Sequence, residues 1–149
     1  MNRVSEDSKN ERLYLTALGK RYDRHIGLWL PIIWHLALRG HSAAMIELAA
    51  WFSSGGDRRA MGRIADRFSA AGLYRRALRQ GDERAAQHLA MAAFNQNDLA
   101  GYRHWLRMAF KAGSAISGVE ASCFEQRLPH ANARKVGRLR PLQKRDELG

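Results

Sequence analysis

The sequence predicts an all-α protein: a short solenoid of stacked helical hairpins followed by a basic, flexible C-terminal tail. Three observations carry this. Ala, Leu, Arg, Met, Gln and Glu dominate the middle of the chain, proline occurs only at 31, 129 and 141, and no stretch alternates with the period of a strand. Glycines separate the apolar stretches into helix-sized pieces. The pattern from Gly40 to Gly72 then recurs from Gly81 to Gly113. At 149 residues, 46% hydrophobic and 26% charged, the chain can build one ordinary soluble core and is not composed like a disordered protein.

A first helix is expected from about Ser8 to Arg24, where Leu13, Ala17, Leu18 and Arg21-Tyr22 follow a period near 3.6. A second covers Leu28 to Leu38 with Pro31 in its first turn, where proline's missing N–H costs nothing. These form a first hairpin over about 8–39. A second hairpin, 40–72, begins with an apolar face of Ala44, Ile46, Leu48, Trp51 and Phe52. It turns at Gly55-Gly56 and continues as a helix from Asp57 to Ala71 with Ala60, Met61, Ile64, Ala65 and Phe68 inward and Gly72 as its stop.

Offsetting the chain by 41 aligns Gly40/Gly81, Ala44/Ala85, Leu48/Leu89, Ala49/Ala90, Asp57/Asp98, Ala71/Ala112 and Gly72/Gly113, seven identities in 33 columns. Each falls where a hairpin needs a small residue, a cap or a stop. The third hairpin is therefore 81–113, and Leu73 to Gly81 reads as an extra helical turn or two between repeats. A hairpin of this kind cannot bury its apolar face alone, so neighbours stack. The repeat domain is expected over 1–126, closed by a capping helix after Gly113. Residues 127–149 are expected to be a disordered tail. It holds seven Lys/Arg against Asp146 and Glu147, two of the prolines, and few large apolar residues.

The stretch Asp82 to Gly113 resembles a Sel-one-like repeat, a short relative of the tetratricopeptide repeat. Ala85, Leu89 and Ala90 match the first-helix positions, and Trp105, Ala109, Ala112 and Gly113 match the ending of the second helix. The family's glycine-rich turn is replaced here by Asn95-Gln96-Asn97, and the earlier unit has Ile64 in place of the Trp. Over about residues 36–116 the resemblance implies a right-handed α/α superhelix that binds proteins without catalysis. It carries over no binding residue.

No chemistry stands out. The histidines at 25, 35, 41, 88, 104 and 130 lack metal-ligand spacing, and Cys123 is the only cysteine, so neither a Cys-based zinc site nor an internal disulfide can form. Hydrolase, phosphate-loop and zinc-protease motifs are missing. No cofactor, metal or catalytic residue is expected, and the chain reads as a non-enzyme of the cytoplasm, with no apolar leader at its start. The terminal Lys-Arg-Asp-Glu-Leu is followed by Gly149, so it is not a retention signal. The most apolar run, Ile26 to Leu38, has 13 residues, short of the ~20 that span a bilayer. A membrane-surface role is a third, weaker reading of it.

Charge is the informative feature. Lys and Arg number 25 against 14 acids, a net +11. That favours an acidic partner protein, with nucleic acid as the alternative. Arg59, Arg63 and Arg67 repeat at i, i+4, i+8, as do Arg103, Arg107 and Lys111, so each set lines one helix face. Arg75, Arg76 and Arg79 lie between them. The two rows with Arg75 and Arg76 are the candidate partner-binding residues, joined by Arg134, Lys135, Arg138, Arg140, Lys144 and Arg145 of the tail. A DNA-binding helix-turn-helix can be laid over Ala86 to Leu106, offering Arg103 and His104, though Phe94 sits where its tight turn wants glycine. Trp29 and Trp34 are either core or interface.

Overall fold

The computed structural model describes residues 2–24, 28–54 and 60–127. They form α1 (Asn2–Leu18), a π-helical turn (Gly19–Arg24), α2 (Trp29–Leu38), α3 (Ser42–Ser53), α4 (Ala70–Arg79), α5 (Glu83–Asn95), α6 (Leu99–Lys111) and α7 (Ala115–Arg127). The regular structure among the described residues is all helical, with no strand. Asp57, Arg59, the Gly55-Gly56 turn and all the tail residues named above lie outside them.

Helices α2, α4, α5 and α6 end on one recurring closure. Gly40, Gly81 and Gly113 have φ of +90, +91 and +122°, a region that L side chains resist. Behind each, the next N–H reaches back five residues: His41 to the Leu36 carbonyl, Asp82 to Ala77, Ser114 to Ala109. This 6→1 bond uses a helix-end carbonyl that would otherwise be unpaired. Asn97, at φ +59°, closes α5 the same way, with Asp98 bonded back to Ala93. Asn tolerates the left-handed region better than other non-glycine residues, which explains how Asn95-Gln96-Asn97 replaces a glycine turn.

The chain divides into two compact units, Met1–Asp82 and Glu83–Gly149, the division falling inside the stretch expected as one repeat domain. In the first, α1 packs on α2, α2 on α3 and α3 on α4. Ile33, Leu36, Met45, Leu48 and Leu73 are its largest fully buried side chains. The first helix starts earlier than its apolar spacing suggests. Tyr14 and Ala17 face inward, while Leu13 is 37% exposed. Pro31 sits in the first turn of α2, as expected.

The second unit follows the sequence closely. α5 and α6 form the hairpin expected over 81–113, and α7 packs on α6. Ala90, Leu106 and Ala121 make its core, with Tyr102 and Trp105 packed against them. Asp98 caps α6 by accepting the Gly101 N–H at 2.9 Å. α7 is tied down by polar groups: Gln87 donates to Ser114 and Ser117, at 2.9 and 3.2 Å, and both serines are buried.

The helix expected over 57–71 is a correction. Residues 60–69 are turns, and α4 begins at Ala70, in the stretch read as an insertion between repeats. Ser69 is the cap that decides this. Its hydroxyl accepts the Gly72 N–H at 3.0 Å and donates to the carbonyls of Arg63 and Asp66. Gly62, at φ +64°, breaks any helix before it. Gly72 is therefore no stop. It lies inside α4, where a Cβ would overlap the Asp66 carbonyl oxygen. Ile64 and Phe68, expected inward, are 36% and 46% exposed, while Ala70, Ala71, Leu73, Tyr74 and Ala77 bury the inner face of α4. The repeat alignment thus holds for α3 against α5, with Ala44, Leu48, Ala49 and Ala85, Leu89, Ala90 all buried, and fails for the second helices.

Candidate functional site: an arginine-lined cleft

Because residues 60–69 are turns, Arg63 and Arg67 do not form an i, i+4 row on a helix; Arg59 lies outside the described residues. The structure makes a different cluster. The segment before α4 folds back over its first turns, and Gly72 allows the close approach. Arg67 from that segment then meets Arg75, Arg76 and Arg79 of α4 around a cleft of about 460 Å³, with Ile64 and Gly72 also in its wall. Arg75 and Arg79 are four apart on the helix and solvent-exposed.

No carboxylate among the described residues forms an ion pair with these four arginines. The ion pairs Arg21–Glu47 and Arg39–Glu6 and the His41–Glu11 contact all lie elsewhere. Asp66, beside the cleft in sequence, accepts the Phe68 N–H instead. The Arg76 Nη1 atom is buried with no hydrogen-bond partner. A buried donor without an acceptor is uncommon and costly, more so on a charged group. Burial, and then the like charge of Arg67, push the Arg76 guanidinium below its usual range. An anion in the cleft would offset the like charge.

The second expected row is also altered. α6 forms as predicted, but Arg103 is buried and Arg107 half-buried, so only Lys111 of that row is exposed. Arg103 thus cannot present its charge to solvent, nor serve a recognition helix in a groove. His104 is exposed, its ring 4.7 Å from that of Trp105.

A second feature stands where α2 and α3 pack. Trp29 meets Trp51 edge-on at 6.3 Å, and Trp34 meets Phe52 at 5.5 Å. Arg21 lies over Trp29 at 4.4 Å and is held by Glu47 at 2.7 Å. Trp29 is half-buried; Trp34 and Trp51 are 37% and 39% exposed. These tryptophans therefore belong to both a packed cluster and the surface. Among the described residues, no group of His, Cys, Asp and Glu could hold a metal ion, and no helix is long and apolar enough to cross a membrane.

The sequence pointed to Arg67, Arg75 and Arg76 but not to their meeting. Arg79 completes the cleft and could have been found from Ser69. A capping serine four residues before Leu73, with Tyr74 and Ala77 following, marks a helix that puts Arg75 and Arg79 on one face. No family model matches the chain, and comparison with curated proteins and with solved structures found no match.

Proposed function

We propose that the protein is a non-catalytic adaptor or inhibitor of the helical-repeat kind, capturing a partner protein through that partner's acidic surface. The observation that carries this reading is the cleft of Arg67, Arg75, Arg76 and Arg79, which no carboxylate among the described residues offsets. Guanidinium groups grip carboxylates through paired N–H bonds, and an uncompensated positive patch speeds encounter with an acidic one.

Apolar exposure favours protein over nucleic acid as the partner. Ile64 and Phe68 stand beside the arginines, and Trp34, Leu38 and Trp51 are exposed on the same unit. Protein interfaces place aromatic and aliphatic side chains next to arginine, whereas nucleic-acid interfaces are more polar. The Sel-one-like resemblance of α5 and α6 belongs to this reading, supported by the burial of Ala85, Leu89, Ala90 and Ala109 and by the φ of Gly113. So does a cytoplasmic location, which suits the free, exposed Cys123.

The test compares the tagged full chain with an Arg75→Glu/Arg79→Glu variant in nuclease-treated native lysate, read by mass spectrometry. Both positions are exposed, so helicity should be unchanged. The expected result is a protein held in constant ratio by the wild type and lost by the variant. Equal capture by both would remove the cleft from the account. Capture that disappears with nuclease would establish the nucleic-acid reading instead.

A further inference from the structure

We propose that the group this cleft is built to take is a phosphate monoester on the partner protein, held by Arg67, Arg75, Arg76 and Arg79. The inference rests on the partner-capture reading and narrows it. Four arginines line one cleft, and no carboxylate among the described residues offsets them. A carboxylate brings one charge and two oxygens in a plane, which satisfies one guanidinium fork. A phosphate monoester brings about −1.5 to −2 charges at neutral pH and three acceptor oxygens at tetrahedral angles. It can be gripped from several sides at once, which is what Arg67 from one segment and Arg75, Arg76 and Arg79 from another require.

Exposure at the cleft is consistent with this. Arg67, Arg75 and Arg79 are exposed and Arg76 is half-buried, so a ligand reaches this charge from solvent. A volume of about 460 Å³ leaves room for the phosphate and for the side chain that carries it. The exposed Ile64 and Phe68 offer apolar contact to the flanking polypeptide. The first N–H groups of α4 are not part of the site: Ala71 bonds to Met61 and Gly72 to Ser69.

Titration calorimetry of the full chain tests this with four probes. They are a neutral peptide bearing one phosphoserine, the same peptide with glutamate at that position, inorganic phosphate, and a short single-stranded DNA. The expected result is saturable binding of the phosphopeptide, at least tenfold weaker binding of the other three, and a tenfold or greater loss in Arg76→Gln that Arg76→Lys partly restores. Arg79→Gln, at an exposed position, should also weaken binding, and it serves if Arg76→Gln does not fold. Lys9→Gln, on the exposed face of α1, should change nothing. Equal affinity for the glutamate peptide would overturn phosphate selectivity and leave the acidic-partner reading standing. Equal affinity for inorganic phosphate would overturn the protein-borne source. Preferential binding of the DNA, falling steeply with salt, would overturn both readings. Absence of binding to every probe would overturn this proposal, while the capture experiment above judges the adaptor reading separately.

Discussion

The backbone of Gly72 lies directly against the carbonyl of Asp66, so close that a methyl group at position 72 would overlap the Asp66 oxygen. This contact brings the segment carrying Arg67 onto the helix carrying Arg75, Arg76 and Arg79. Gly72→Ala should therefore destabilise the protein, even though alanine is the better helix former. Intrinsic propensity favours alanine by about 1 kcal/mol. Overpacking against backbone, which cannot swing aside, costs about 1–3 kcal/mol. Urea unfolding should show a lower midpoint for Gly72→Ala. A raised midpoint would mean that α4 and the preceding segment do not touch there.

Glu47 holds the π-helical turn to α3. Its Oε2 accepts from Arg21 at 2.7 Å and from the Tyr22 hydroxyl at 3.0 Å. Both charged side chains are mostly covered, 20% and 22% exposed, so solvent weakens the pair less than at an open surface. Glu47→Gln should lower stability by about 1–3 kcal/mol, since it leaves a covered guanidinium without its anion. Tryptophan emission should shift as well, because Arg21 rests on the Trp29 ring. Unchanged stability and emission would show that the turn is held by packing alone.

Stability should fall at alkaline pH, and Tyr74 should account for part of the fall. Burial pushes its phenol above the ordinary value near 10.0, against a hydrogen bond with Ser53 that lowers it and the Glu47 charge that raises it. A folded-state pKa above the unfolded one means that the folded state holds the proton more tightly. The stabilisation is complete below about pH 10 and is lost as pH rises through the folded value. Burial raises Tyr22 and Tyr102 in the same direction, so Tyr74→Phe should flatten the decline without abolishing it. Urea midpoints from about pH 8 to 11 check this. The same slope in wild type and variant would contradict it.

Much of the fold could be read from the chain because glycine and cap residues mark helix ends locally. Gly40, Gly81 and Gly113 are closures, Asp98 is a cap, and α5 and α6 fall where spacing puts them. The same code misled at Gly72. A glycine required for close approach looks like a glycine required for positive φ, and only the position of Asp66 tells them apart. That one misreading moved a helix by a dozen residues and dissolved the Arg63/Arg67 row.

Spacing on α6 showed which residues share a face but not how deep that face lies, so the burial of Arg103 was invisible. The arginine cleft was half legible. Its residues are visible as a basic stretch, yet their convergence and the unpartnered Arg76 atom depend on a backbone fold-back that no periodicity records.

The central claim is that an acidic group enters the cleft of α4. The most direct measurement is a side-chain and backbone NMR titration of the full chain with the phosphoserine peptide and a hexaglutamate peptide. The account predicts that the arginine Nε–H signals of 67, 75, 76 and 79, and the amides of α4, move together and saturate with one or both peptides. Shifts that instead gather around Lys111 and the end of α6, with the α4 signals unmoved, would contradict it.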